Sequence, residues 1–312
     1  MLDSLFYVLV GLVILAKASE YAVKSIANIA RLFHLSEFAA SFVIVGIAAV
    51  SPEFFIGVSS SLNKVSPLGL GVLIGSNVID LTIIIALVVL LAGRIKLKTR
   101  LVSWGNWYVI INAIPVMLLL DGSLSALDGV VLVSVFLFYV TFILARGRRM
   151  LGGKEKKDAG KFLKEFLIAG VSLALLFWSA NIIVTNSVVI AEKLSFPLVF
   201  VGFFVAFGTC FPELVFALKA SRQRQSELGL GAIMGNVAVD STLSIGVLSL
   251  MGRVEPHVLM TVLSGFFMVV SSLVVVHLAK NDREITRNDG IMLLILYLLF
   301  TLLEFWVKTF AV

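Results

Sequence analysis

Leu68-Gly69-Leu70-Gly71-Val72-Leu73-Ile74-Gly75-Ser76-Asn77-Val78-Ile79-Asp80 decides the fold, because the chain carries it twice. Leu228-Gly229-Leu230-Gly231-Ala232-Ile233-Met234-Gly235-Asn236-Val237-Ala238-Val239-Asp240 stands 160 residues further on. Working outward at the same shift, Pro52-Glu53 meets Pro212-Glu213 and Thr82 meets Thr242, with no gap needed. Matches among Leu and Gly are expected by chance in so apolar a sequence. Matches of Pro-Glu and of an Asp inside an apolar run are not, so the repeat is an internal duplication.

The chain has 312 residues and is 60% hydrophobic, with only 14% charged. That much apolar surface has to be covered by lipid. A spanning helix needs about 20 apolar residues. The sequence offers ten, over 4–23, 37–62, 68–93, 102–120, 125–145, 164–190, 196–219, 228–251, 257–279 and 289–310. The fold class expected is therefore all-α integral membrane. Residues 1–145 form a first five-helix repeat, 146–163 a basic linker and 164–312 a second five-helix repeat. Residues 4–23 lack a basic leader and a small-residue cleavage site, so they read as the first span and not as a signal peptide.

The net charge of +6 is distributed as membrane topology, not as a nucleic-acid footprint, and no nucleic-acid partner is expected. In alternate gaps between spans, twenty Lys and Arg fall on one side and four on the other, with Lys17 inside the first span. Basic loops stay in the cytoplasm. This puts both termini outside and the linker inside, in a multi-pass protein of the cell membrane. No oligomer is required, and a monomer is expected.

Five spans per half is an odd number, so the second copy enters the membrane with opposite polarity. Such inverted repeats are common in secondary transporters, with the site near the midplane between the copies. Glu53, Asp80, Glu213 and Asp240 sit inside apolar segments, where a charge costs roughly 3 kcal/mol or more on insertion scales. No Lys or Arg lies near them on their own helices, so their natural partners are cations. Pro52 and Pro212 each remove an amide donor, which frees carbonyls near Ala48–Val50 and Gly208–Cys210. An all-oxygen donor set suits Ca²⁺ or Na⁺. Ser76 and Asn77 precede Asp80 by four and three residues, and Asn236 precedes Asp240 by four, so each group shares a helix face. Gly71, Gly75, Gly231 and Gly235 stand at the spacing that lets helices approach closely. Four carboxylates in a small volume cannot all stay ionised without cations between them, so protons compete with metal ions.

Other chemistry is not written in the chain. Cys210 is the one cysteine, and His34, His257 and His277 are scattered. No zinc-ligand spacing, nucleophilic triad or phosphate-binding loop is present, so neither an enzyme nor a resident cofactor is expected.

These motifs resemble the cation/Ca²⁺ exchanger superfamily, most closely its prokaryotic sodium/calcium exchanger branch. Gly208-Thr209-Cys210-Phe211-Pro212-Glu213 matches the first motif of that family, and the two stretches quoted above match the second. The first half reads Ala48-Ala49-Val50-Ser51-Pro52-Glu53 and keeps only Pro-Glu. The resemblance implies a secondary antiporter that exchanges Ca²⁺ for Na⁺ by alternating access, with a proton-coupled exchanger as the alternative and a passive channel or a non-transporting scaffold further behind. It implies Glu53 and Glu213 as the central Ca²⁺ carboxylates. Ser76, Asn77, Asp80, Thr209, Asn236 and Asp240 would line flanking positions, with Ala49 standing where the second half has Thr209. Asp80 occupies a position that is often Asn in the family. The first and sixth spans, the first carrying Lys17 and Glu20, would form the moving gate.

Overall fold

The computed structural model describes residues 2–32, 50–96, 105–146, 159–223, 226–281 and 284–310. These are almost entirely helical. The first half contributes α1 (Leu2–Leu32), α2 (Ser51–Leu62), α3 (Ser66–Ile79), α4 (Ile85–Ala92), α5 (Gly105–Leu118) and α6 (Ala126–Arg146). The second contributes α7 (Ala159–Leu194), α8 (Leu198–Thr209), α9 (Phe211–Arg222), α10 (Ser226–Val239), α11 (Ile245–Met251), α12 (Val258–Asn281) and α13 (Arg287–Phe310). One turn of π-helix, Asp80–Ile84, joins α3 to α4, and another, Asp240–Ser244, joins α10 to α11.

Among the described residues, seven stretches are long and apolar enough to cross a membrane. They are Leu2–Ile26, Ser66–Ala92, Phe162–Leu194, Leu198–Arg222, Leu228–Met251, Val258–Lys280 and Arg287–Phe310. Asn106–Asp121 and Ala126–Thr141 are shorter apolar helices. Of the expected span 37–62, residues 37–49 lie outside the described residues. The outer surface agrees with lipid contact: Phe6, Trp107, Leu127, Phe138, Phe166, Leu302 and Phe310 are all exposed. In water such a surface would associate; against acyl chains it is the lower-energy arrangement. The chain is an integral membrane protein.

Two expected boundaries move. The first apolar run ends near residue 23, yet α1 continues to Leu32, and α7 starts at Ala159, inside the stretch 146–163 read as linker. Charge marks the edge of the bilayer, whereas backbone hydrogen bonding sets the end of a helix, and the two need not coincide. At 1.5 Å per residue α1 and α7 are about 46 and 54 Å long, well beyond a hydrocarbon layer of about 30 Å.

The halves are not two separate lobes. α3 packs on α8, α5 on α12, and α4 on α13, while α1 lies along α7. The α3–α8 contact is backbone to backbone. A Cβ on Gly71 would stand 2.2 Å from the Val199 carbonyl oxygen, and one on Gly202 would stand 2.4 Å from that of Leu68. Two short strand contacts also tie the halves together. β1 (Ile95–Lys96) pairs antiparallel with β2 (Glu284–Ile285), supported by Arg94–Glu284 at 3.3 Å. Leu124 and Val254 exchange backbone hydrogen bonds of 2.9 Å at the opposite end of α12. Shifted by 160 residues, one contact falls within a residue of the other.

Candidate cation site

Glu53 and Glu213 each sit in the first turn of a helix that begins just after a break. Val50 (φ −72°, ψ −8°) and Cys210 (φ −75°, ψ −1°) hold the same near-bridge conformation, and Pro52 and Pro212 occupy the opening turns of α2 and α9. Proline fits there because its missing amide hydrogen would have no partner in a first turn. The sequence placed these prolines in mid-helix. In the second half the apolar run 196–219 is instead two helices, α8 and α9, that meet at Cys210. Pro212 has no hydrogen to give the Gly208 carbonyl, and each glutamate gains the positive end of a helix dipole.

Asp80 and Asp240 each open a π-helical turn. A matched threonine lies in each turn. Thr82 donates its hydroxyl to the Val78 carbonyl, and Thr242 does the same to Ala238 at 2.6 Å. A hydroxyl bonded to the carbonyl four residues back competes with the backbone ladder there. π-Turns cluster at functional sites, and neither was legible in the sequence.

All four carboxylates are buried: Glu53, Asp80 and Asp240 are 0% exposed and Glu213 is 8% exposed. Every pair among the four lies within electrostatic reach. The halves cross over here. Asn236 of α10 donates from Nδ2 to Asp80 Oδ2 at 3.0 Å. At the position 160 residues earlier, Ser76 lies beside Asp240. Thr209 lies beside Glu53. Each hydroxyl also lies 3.0 Å from a backbone carbonyl, Ser76 from Leu73 O and Thr209 from Ala206 O, so in each case a carbonyl and a carboxylate compete for one hydrogen. Asn77 uses its amide hydrogens on Ser241 Oγ (3.1 Å) and Met268 Sδ (3.3 Å).

The result is an excess of acceptors. Glu53 Oε1 and Oε2, Asn77 Oδ1, Asp80 Oδ1, Glu213 Oε2, Asn236 Oδ1, and Asp240 Oδ1 and Oδ2 are eight buried oxygens that receive no hydrogen bond. A buried acceptor without a donor normally costs 1–3 kcal/mol, more when charged. Eight together call for donors or positive charge from outside the described chain, as water, protons or metal ions. Among the described residues, however, no three Asp, Glu, His or Cys side chains converge closely enough to chelate one ion as a group. Amide, hydroxyl and carbonyl oxygens must therefore complete any coordination shell.

The structure thus brings together Glu53, Glu213, Asp80, Asp240, Asn236, Ser76 and Thr209, with Asn77 anchored alongside. Ala49 lies outside the described residues. Of the glycines, Gly71 and Gly75 pack against α8, whereas no described residue stands within 4 Å of a Cβ on Gly235. Cys210 sits among the four acids, with Sγ 3.7 Å from the Ser76 carbonyl. Sequence reading passed over Ser244, whose buried hydroxyl lies beside Asp240 without a partner of its own. Its position four residues after Asp240, one turn on, was the available signal.

Comparison with known proteins follows this geometry. The family model for sodium/calcium exchanger proteins matches residues 4–145 and 164–306. The sodium/calcium exchanger MaX1 of Methanosarcina acetivorans is 24% identical, over 96% of this chain and 97% of its own length. Two solved structures share the fold. The H⁺/Ca²⁺ exchanger CAX superposes with a TM-score of 0.79 at 15% identity, covering 98% of this chain and 85% of that one. The sodium-calcium exchanger NCX_Mj superposes with a TM-score of 0.67 at 24% identity, covering 95% and 97%.

Proposed function

This chain belongs to the sodium/calcium exchanger protein family, and we propose that it is a secondary antiporter moving Ca²⁺ against a monovalent cation. The observation that carries this reading is the set of eight buried oxygens without donors. They are hard, anionic or dipolar, and surrounded by apolar helices, which suits Ca²⁺ and Na⁺. Glu53 and Glu213 would take the divalent ion between the two helix breaks. Asp80, Asp240, Asn77, Asn236, Ser76 and Thr209 would supply the flanking oxygens. Because the carboxylates neighbour one another without closing into a chelate, neutral oxygens would complete the shell and hold the ion less tightly than a cage of carboxylates. That is the condition for transport, since a site that binds too tightly does not release.

In this reading the ten apolar runs of the sequence are ten spans in two five-helix repeats of opposite polarity, residues 1–145 and 164–312, joined by the cytoplasmic linker 146–163. Both termini face outward. Several matched features support it: the breaks at Val50 and Cys210, the π-turns at Asp80 and Asp240, and the paired strand contacts at the two ends of α12. Alternating access would come from α1 and α7, which pack along each other and against α2 and α8. Ser19 of α1 meets Ser51 of α2 at 3.0 Å, and Asn181 of α7 accepts from Asn63 at 2.8 Å, so the pair is tied to α2 and its end by polar contacts that can exchange partners.

Na⁺ is the counter-ion we assign. One feature favours H⁺ as the second reading. The first half has Ala49-Val50 where the second has Thr209-Cys210, so one side lacks a hydroxyl ligand, and Asp80 adds a carboxylate that can carry a proton. Flux of ⁴⁵Ca²⁺ into proteoliposomes separates the two. Uptake driven by an outward Na⁺ gradient at equal pH supports Na⁺ coupling. Uptake driven by a pH gradient and indifferent to Na⁺ replaces it with H⁺.

A further inference from the structure

Glu304 is the buried acid that the cation path does not use. It lies on α13, 2% exposed, on a buried stripe with Leu293, Phe300 and Val307. Its partner is Ser264 of α12, hydrogen-bonded to Glu304 Oε1, while Oε2 receives nothing. Ser264 Oγ also reaches the Met260 carbonyl oxygen, at 2.8 Å.

A hydroxyl owns one hydrogen. If Ser264 gives it to Met260, an ionised Glu304 would be acceptor against acceptor. If Ser264 gives it to Glu304, the Met260 contact becomes acceptor against acceptor. The arrangement closes only when a further hydrogen is present, on Glu304, donating to Ser264 Oγ while Ser264 donates to Met260. Charge leads to the same place. α4 and α8, which pack against α13, carry no titratable residue. α12 has only His277 and Lys280, near its far end, with His257 just before it; the adjoining π-turn has Asp80. None of these acts on Glu304. Lys308, one turn along α13, instead lays its ammonium 4.4 Å from the centre of the Phe196 ring. An ionised Glu304 would be a buried charge with no counter-charge, an expensive state that a bound proton removes.

We propose that Glu304 is a proton-binding site separate from the cation path: a neutral carboxylic acid in the working protein that latches α13 to α12 through Ser264. The ligand is H⁺ and not a metal ion, because the carboxyl and hydroxyl oxygens are already in direct hydrogen-bond contact. The latch holds at neutral and acid pH and is lost as the pH rises far enough to ionise the acid.

Infrared spectroscopy of the purified full-length protein tests the protonation directly. The carbonyl stretch of a protonated carboxylic acid should be present in wild type at neutral pH, shift in D₂O, and drop out of Glu304→Gln. A spectrum of Glu304→Gln identical to wild type in that region would overturn the proposal. Thermal unfolding tests the latch. Glu304→Gln keeps a donor toward Ser264, so its Tm should match wild type at neutral pH and should not fall at alkaline pH, where the wild-type Tm does. Equal alkaline loss in both proteins would reject the latch. Ca²⁺ flux assigns the path: Glu304→Gln should transport as wild type, and loss of flux in a folded variant would put Glu304 on the cation path after all.

Discussion

Glu53 and Asp80 are both fully buried acids, yet they are held differently. Asp80 Oδ2 receives the Asn236 amide, whereas neither oxygen of Glu53 receives a hydrogen. Glu53 therefore depends more than Asp80 on a bound cation, and its neutral isostere should cost more. Glu53→Gln should lower Ca²⁺ flux about 100-fold or more, since loss of a charged ligand costs on the order of 3 kcal/mol and each 1.4 kcal/mol is a decade. Asp80→Asn keeps an oxygen for Asn236 and should cost about tenfold or less, with its larger effect on which monovalent ion couples. Proteoliposome flux measures both. Protons and cations compete for the same unpaired oxygens, so the sign of the pH effect follows. Apparent Ca²⁺ affinity should fall as pH is lowered, and equilibrium ⁴⁵Ca²⁺ binding across pH would show it. Both glutamates and both aspartates were legible in the sequence as costly residues repeated at one shift. Ser244 was not, because a serine in a helix carries no signal until its neighbour is known.

At the scale of the element, the matched threonines and glycines separate in role. Thr82 and Thr242 each bond back to the preceding turn within the π-helical segments that open at Asp80 and Asp240. Thr242→Val removes the competing hydroxyl at nearly constant volume and should weaken Ca²⁺ binding while leaving the protein folded, as isothermal titration of purified protein would detect. The glycines make a contrast. Gly71→Ala would drive a methyl onto the Val199 carbonyl and should destabilise by about 1–3 kcal/mol, the usual cost of overpacking. A Cβ on Gly235 meets no described residue within 4 Å. Thermal unfolding of Gly71→Ala beside wild type checks the destabilisation. Sequence spacing marked both glycines alike. Their difference lies in what each faces: α8 covers the first, and no described residue covers the second.

For the whole molecule, the apolar surface and the charge asymmetry give the protein its solvent and its proposed orientation. A cysteine introduced in the linker, for example at Lys156, should react with a membrane-impermeant thiol reagent only after the membrane is opened, and one at Lys308 should react in intact cells. The chain suits this test because its own cysteine, Cys210, is buried. The opposite labelling pattern would invert the topology. The packing of α3 on α8 and of α5 on α12 means that neither repeat has a core of its own, so each half expressed alone should fail to fold into a Ca²⁺-binding unit.

The sequence by itself determined that the chain lives in lipid, that it is a duplicated helical protein, and which four acids sit inside its apolar segments. All three follow from energies large enough to show in composition: tens of apolar side chains seeking lipid, and carboxylates too costly to keep in apolar helices without a use. Only the tertiary structure decided how the two copies meet. Asn236 reaching across to Asp80, Thr209 beside Glu53, the π-turns that open at the aspartates, and Ser264 under Glu304 are contacts of a few kcal/mol between residues far apart in the chain. Each depends on which hydrogen is spent on which oxygen, and that is fixed by packing, not by the identity of any one residue.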